Sequence, residues 1–246
     1  MDALLASVCK ELRLGTGLAS KAKKLAARHK NPGALDFLLE LLKSELDERT
    51  LRRRNAYQKA AKFDVIKTFE DYTFEDIVFP KTIAPQDLMD AAFVPRKENL
   101  VLYGNPGAGK THLATAIGIA ACDAGYRTRF WRVPNLVNAL VNAKKKGDII
   151  TFMRQFSKLD LLICDEWGYV PIDIDGSKLL FNVVAEFYER RSLIITTNLE
   201  FASWNNIFAD AKLTSALLDR VIHHSHILDF TKRDSRRLLQ ALSKQT

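Results

Sequence analysis

Three glycines, a lysine and a threonine stand together in "YGNPGAGKTHLATAIG", where residues 104 to 111 match G-x-x-x-x-G-K-[ST]. Such a loop turns its backbone amides inward around a phosphate, which needs backbone angles that glycine tolerates best. The apolar run before it reads as a strand and the Ala/Ile-rich run after it as a helix, whose positive end adds to the anion site. The cradle expected from this is Gly104, Asn105, Pro106, Gly107, Ala108, Gly109, Lys110, Thr111 and His112. Within it, Lys110 is placed to pair with β- and γ-phosphates and Thr111 to hold Mg²⁺. The competing reading is a glycine-rich turn of structural use only.

A second stretch, "LDLLICDEW", is an apolar run ending in two acids. Asp165, at the end of a central strand, can reach the metal through water, and Glu166 can polarise an attacking water. An apolar run followed by charge is also how an ordinary strand leaves a core. A third, "LIITTN", places Asn198 where it can orient that water and sense the γ-phosphate, or serve as a strand-ending turn residue. A fourth, Arg220 in "LTSALLDRVIHHSH", suits an arginine offered to a neighbouring subunit's nucleotide, where a planar cation stabilises charge on the transferred phosphate. A salt bridge to Asp219 or Asp229 is the plainer alternative.

These groups need a scaffold that brings strand ends together. Short apolar runs alternate with helical stretches: "NLVLY" then 109–124, "TRFWRV" then 135–146 and 149–158, "LDLLIC" then 177–190, "SLIITT" then 203–222, and "SHILDF" before a last helix at 234–243. Continuous apolar strands separated by helices predict an α/β fold, a parallel five-stranded sheet covered by helices on both faces. Residues 1–62 read as a small helical domain, with Leu35, Leu38, Leu39, Leu42 and Leu46 as one apolar stripe after a break at Pro32-Gly33. Residues 63–98 are aromatic and proline-punctuated and read as a linker lying across the domain 99–246.

Charge is distributed unevenly. Residues 1–62 hold 14 Lys and Arg against 7 Asp and Glu, while 63–246 hold 23 against 22, so the chain's net +8 is almost wholly N-terminal. A local excess of this kind fits a polyanion, DNA first and anionic lipid second, or a solvated helix face. Arg52, Arg53 and Arg54 fall past the apolar stripe and are expected to point outward. Cys9, Cys122 and Cys164 are odd in number and far apart, which predicts no disulfide set and a reducing, cytoplasmic setting. No apolar run reaches the length of a membrane span, and the start of the chain lacks the basic opening of a signal peptide. His223, His224 and His226 have no cysteine or carboxylate at ligand spacing, so a zinc site is not expected there. In "TRFWRV", Phe130 and Trp131 read as core and sheet edge, and alternation keeps Arg129 and Arg132 from facing one DNA surface together.

"YGNPGAGKTHLATAIG", "LLICDEWG", "IITTN" and "ALLDRVIHHSHIL", in this order, resemble the P-loop AAA+ ATPases, and within them the helicase-loader and initiator branch. With "FLLELLKSELDERTLRRRNAYQKAAKF" and "KTFEDYTF" ahead of them, the layout looks like the IstB-like transposition helper ATPases over nearly the whole chain. That resemblance implies an ATP- and Mg²⁺-dependent homo-oligomer with ATP sites at subunit interfaces. It would assemble on and remodel double-stranded DNA and recruit or activate a cognate insertion-sequence transposase in DNA recombination. In this clade a helical insertion between the second and third strands contacts DNA, which falls here on Lys144, Lys145, Lys146 and Arg154. "NAKKKGD" is equally a well-formed helix C-terminus, with Gly147 as its cap. A replicative helicase loader of the DnaC type and a nucleotide-dependent scaffold are the alternatives. A full helical lid of the family's kind is not expected: about 16 residues follow "HILDF", room for one helix. Arg236 or Arg237 could replace its sensing arginine, and a lone subunit is expected to be a poor ATPase.

Overall fold

The computed structural model describes residues 6–7, 9–10, 13–15, 17–28, 34–70, 72–208 and 210–235, with the side chains of 34, 35, 38, 205 and 206 outside that description. The chain divides into two compact units, residues 1–56 and 57–246. In the first, α1 (Leu18–Arg28) and the start of α2 (Ala34–Ala61) close a small core of Cys9, Leu18, Ala22, Leu25 and Leu41, edged by Leu14 and Phe37. α2 runs 28 residues without an internal glycine or proline, and most of them are good helix formers. The expected stripe is not the face that meets the core. Leu39, Leu42 and Leu46 are exposed, whereas Leu41 and Glu45 are buried. Leu35 and Leu38 lie outside the described side chains, as does the break at Pro32-Gly33. Glu45 is tolerated inside because the Gly15 amide and Arg49 Nε donate to its Oε1 at 2.8 and 2.9 Å, which also lowers its pKa.

In the second unit, β1 (Asn99–Tyr103), β2 (Thr128–Arg132), β3 (Leu161–Trp167), β4 (Ser192–Thr197) and β5 (Ser225–Asp229) form one parallel sheet in the order β2-β3-β4-β1-β5. The three central strands are buried along almost their whole length and the two edge strands only in part, as continuous versus mixed runs require. Successive residues feed opposite faces. Val101, Leu162, Cys164, Leu193 and Ile195 pack under α5 (Val133–Lys145), α7 (Ile174–Phe187) and α8 (Ala211–Ile222). Leu100, Leu102, Leu161, Ile163 and Ile194 pack under α4 (Lys110–Asp123). That second face is completed by Tyr72, Ile77, Ile83, Phe93 and Val94, together with α3 (Pro85–Met89). Val78 and Asp229 exchange backbone hydrogen bonds at 2.9 and 3.1 Å, fastening that segment to the β5 edge.

The helix expected over 203–222 is two pieces, a 3-10 turn at Phe201–Asn206 and then α8. Asp210 restarts the chain as an N-cap, accepting from the Lys212 and Leu213 amides at 2.9 and 3.1 Å. Likewise 149–158 divides into α6 (Ile149–Arg154) and a 3-10 turn at Phe156–Lys158. Of the last expected helix, residues from 236 lie outside the described chain. All three cysteines are buried, and burial pushes the Cys122 and Cys164 thiols up to about 11 and about 12. Among the described residues no helix is long and apolar enough to cross a membrane.

Candidate nucleotide-binding site

β1 delivers the glycine loop at the C-terminal edge of the sheet, and α4 leaves it. Gly104 holds φ +139°, and a Cβ there would stand 2.6 Å from the Phe230 carbonyl carbon and 2.8 Å from the Thr231 nitrogen. Backbone cannot step aside for it, so the position admits glycine alone. Gly109 is left-handed at φ +94° and forms the N-cap of α4, which sets Lys110 and Thr111 in the helix's first turn. Asn105 Nδ2 donates to the Thr231 carbonyl at 2.9 Å and pins the loop to the exit of β5. Pro106 is exposed and Ala108 buried beneath. His112 sits 5.0 Å from the Tyr72 ring, with Nε2 2.9 Å from the Thr68 carbonyl oxygen.

Lys110 is folded back into its own loop. Its ammonium donates to the Gly104 and Asn105 carbonyls at 2.6 and 2.7 Å and is 8% exposed. Burial lowers its pKa to about 8, and the Asp165 carboxylate opposes that shift. A cation so placed is short of negative charge, which is what a phosphate supplies.

Because β3, β4 and β1 are neighbours, their C-terminal ends bring the acids, Asn198 and the loop to one place. Asp165 is 1% exposed and accepts from Thr111 Oγ1 at 3.0 and 3.2 Å and from Thr196 Oγ1 at 2.6 Å. Burial raises its pKa and the two hydroxyls pull it back down. After Cys164 the β3–β4 register slips, and Glu166 takes φ +61°. This irregularity turns two consecutive acids to different tasks: Asp165 inward toward Thr111, Glu166 toward Arg132 at 3.4 Å. The Glu166 amide is held by Thr196 Oγ1 at 3.1 Å, and Arg132 Nε is paired with Asp64 at 2.7 Å. Asn198 Oδ1 is buried with no hydrogen-bond partner. A hydroxyl and a carboxylate make a hard oxygen pair, so Thr111 and Asp165 fit Mg²⁺.

A family model described as "IstB-like ATP binding protein" matches residues 7–244. The chain belongs to this IstB-like family. It is 38% identical over 205 residues to a Pseudomonas aeruginosa protein named for ATP binding in insertion sequence IS21, covering 82% of this chain and 76% of that one. A Sinorhizobium fredii protein named for ATP binding in an insertion sequence is 34% identical over 241 residues, covering 96% and 80%. Among solved structures, DnaI superposes with TM-score 0.54 at 16% identity, covering 69% of this chain and 90% of that one. AMPPCP-bound DnaA from Aquifex aeolicus superposes with TM-score 0.51 at 19% identity, covering 72% and 55%. The IstB-like chain thus spans about half the DnaA chain, and at these identities the likeness is one of fold: a P-loop α/β core of the AAA+ type.

The other residues singled out in the IstB-like sequence lie elsewhere. Arg220 is in the last turn of α8, which feeds the start of β5 and so the sheet edge opposite the loop. Its Nη1 donates to the Ala216 carbonyl at 3.0 Å, and its guanidinium rests 4.7 Å from the Phe181 ring, in neither of the salt bridges weighed for it. Lys144 and Lys145 end α5, Lys146 is its C-cap, and Arg154 ends α6. All four are exposed, and Lys144 meets Asp175 at 3.0 Å. Arg52, Arg53 and Arg54 are exposed on α2 in the other unit, with Arg52 3.3 Å from Glu48. Arg236 and Arg237 fall outside the described residues. Three groups at the site were not assigned to it from sequence. Arg132 meets Glu166 at 3.4 Å and is itself paired with Asp64, and buried Arg233 donates to the Tyr72 hydroxyl at 2.8 Å, bracing the ring beside Gly109. Only the strand order could have flagged Arg132, since its register partner on β3 is Asp165.

Proposed function

We propose that this IstB-like protein is an ATPase that works on double-stranded DNA in the service of an insertion-sequence transposase. The observation that carries the reading is the meeting of Lys110, Thr111, Asp165, Glu166 and the unpartnered Asn198 at one sheet edge. In this reading Lys110 and the loop amides hold the β- and γ-phosphates, while Thr111 and Asp165 hold Mg²⁺. When bound, that ion offsets phosphate charge. Glu166 accepts a proton from the attacking water, and Asn198 turns that water toward the γ-phosphate. Insertion-sequence relatives support the transposition setting. The exposed Lys145, Lys146, Arg154 and Arg52–Arg54 supply cations for duplex phosphates without reading bases. Arg220, remote from its own loop, is assigned to a neighbouring copy's nucleotide, which makes the working form a homo-oligomer in the cytoplasm.

Glu166→Gln tests this directly. It should keep ATP binding and lower turnover by about 10²–10⁴-fold, with and without duplex DNA. Full turnover in that variant, or DNA binding indifferent to salt, refutes the proposal.

A further inference from the structure

Two chain segments converge at the sheet edge opposite the phosphate loop. α7 ends at Phe187 and passes through Tyr188 and Glu189 toward β4, while α8 ends at Ile222 and passes through His223 and His224 into β5. The sequence offered these histidines no carboxylate at ligand spacing, and folding corrects that by supplying Glu189, 35 residues before His224. His224 Nε2 stands 3.4 Å from Glu189 Oε1, and one donor atom from each of Glu189, His223 and His224 lies within 4.8 Å of the others.

These distances suit a transition metal. Two donors about 2.1 Å from Zn²⁺ at a tetrahedral angle stand about 3.4 Å apart, which the Glu189–His224 pair already meets. His223 is exposed, so its ring is free to bring a nitrogen the remaining distance to an ion. Its Nδ1 lies 3.4 Å from the Tyr188 hydroxyl, the kind of outer partner that fixes a ligating imidazole. Glu189 holds φ +56°, a left-handed backbone that is uncommon for a residue with a side chain. His226 takes no part, because its two ring nitrogens are engaged by Thr82 Oγ1 at 2.8 Å and Glu98 Oε2 at 3.0 Å.

We propose that Glu189, His223 and His224 form a binding site for a divalent transition-metal ion, Zn²⁺ foremost, with its fourth position open to water. Two imidazoles and one carboxylate select such an ion over Mg²⁺, which prefers oxygen alone. The ion would tie the exit of α7 to the exit of α8. Arg220 lies 5.9 Å from the Tyr188 ring, one turn before the histidines, so the tie would also stiffen the helix end that carries it.

The test is Co²⁺ titration of the full-length, nucleotide-free chain, followed by the visible absorption of four-coordinate Co²⁺ and by displacement with Zn²⁺. The parent chain should bind about one equivalent, and Zn²⁺ should raise its melting temperature. His224→Ala and Glu189→Gln should weaken binding by more than about 100-fold, and Tyr188→Phe by about 10-fold. Asp165→Asn, which cripples the separate Thr111–Asp165 oxygen site, should leave the signal intact. Signal retained in both His224→Ala and Glu189→Gln, signal lost in Asp165→Asn, or a parent chain with neither absorption nor a Zn²⁺-dependent melt each overturns the proposal.

Discussion

Lys110 carries a cost that can be measured without nucleotide. In the folded chain burial lowers its pKa from 10.5 to about 8, so the unfolded chain holds this proton more tightly. Between those two values the unfolded state binds more protons, so the lysine's contribution to stability rises with pH across that window. Below pH 8 its full penalty applies, and above 10.5 it vanishes. The gap corresponds to about 3 kcal/mol. Lys110→Met keeps the stem and removes the charge, together with the bonds to the Gly104 and Asn105 carbonyls. In urea unfolding without nucleotide, the stability of the Met variant relative to the parent should be greater at pH 7 than at pH 10 by about 2.5 kcal/mol. Ionisations common to both chains cancel in that difference. A difference that does not change with pH would show that the loop leaves Lys110 hydrated, and the claim that it is poised for phosphate would fall with it. ATP affinity should be lost in the same variant.

Asn198→Ala removes a buried oxygen that has no partner, so nucleotide-free stability should hold or rise by about 1 kcal/mol while turnover falls about 100-fold; melting and phosphate release check the two halves. Gly104→Ala forces a Cβ against the Phe230 and Thr231 backbone and should cost about 2–4 kcal/mol in thermal unfolding, with nucleotide binding abolished. Replacing Lys145 and Lys146 by alanine should flatten the slope of log affinity for duplex DNA against log salt by about 1.8, read by fluorescence anisotropy.

How much of this was legible beforehand follows from which forces are local. The three central strands could be read because a strand buried on both faces has to be a continuous apolar run, and "LDLLIC" and "SLIITT" have no other reading in an α/β pattern; the mixed edge strands were read from their place in the alternation with helices. Helix limits were less legible. Asp210 caps α8 after the 3-10 turn has ended at Asn206, and from sequence alone its carboxylate is one more polar residue in a periodic run. In α2 the leucine spacing announced a helix, but Phe37, Leu41 and Glu45 make a competing row. Choosing between rows depends on what α1 presents, and that is not local.

The site divides along the same line. Gly104–Thr111 is a contiguous segment whose backbone makes the cradle, so its chemistry survives being read as a string. Asp165, Glu166 and Asn198 could be proposed because strand ends are recognisable and strand ends of one parallel sheet share an edge. Arg132 ends a strand too, but its partner Glu166 is chosen by β2 lying beside β3 and by the slipped register that turns Glu166 outward, and its other partner, Asp64, comes from a segment far away in sequence. The grouping of Glu189 with His223 and His224 has the same origin. β4 and β5 flank β1, so the turns entering them are brought close though 35 residues apart. Spacing rules for ligands assume that donors share one helix or loop, and they fail wherever the strand order does the assembling.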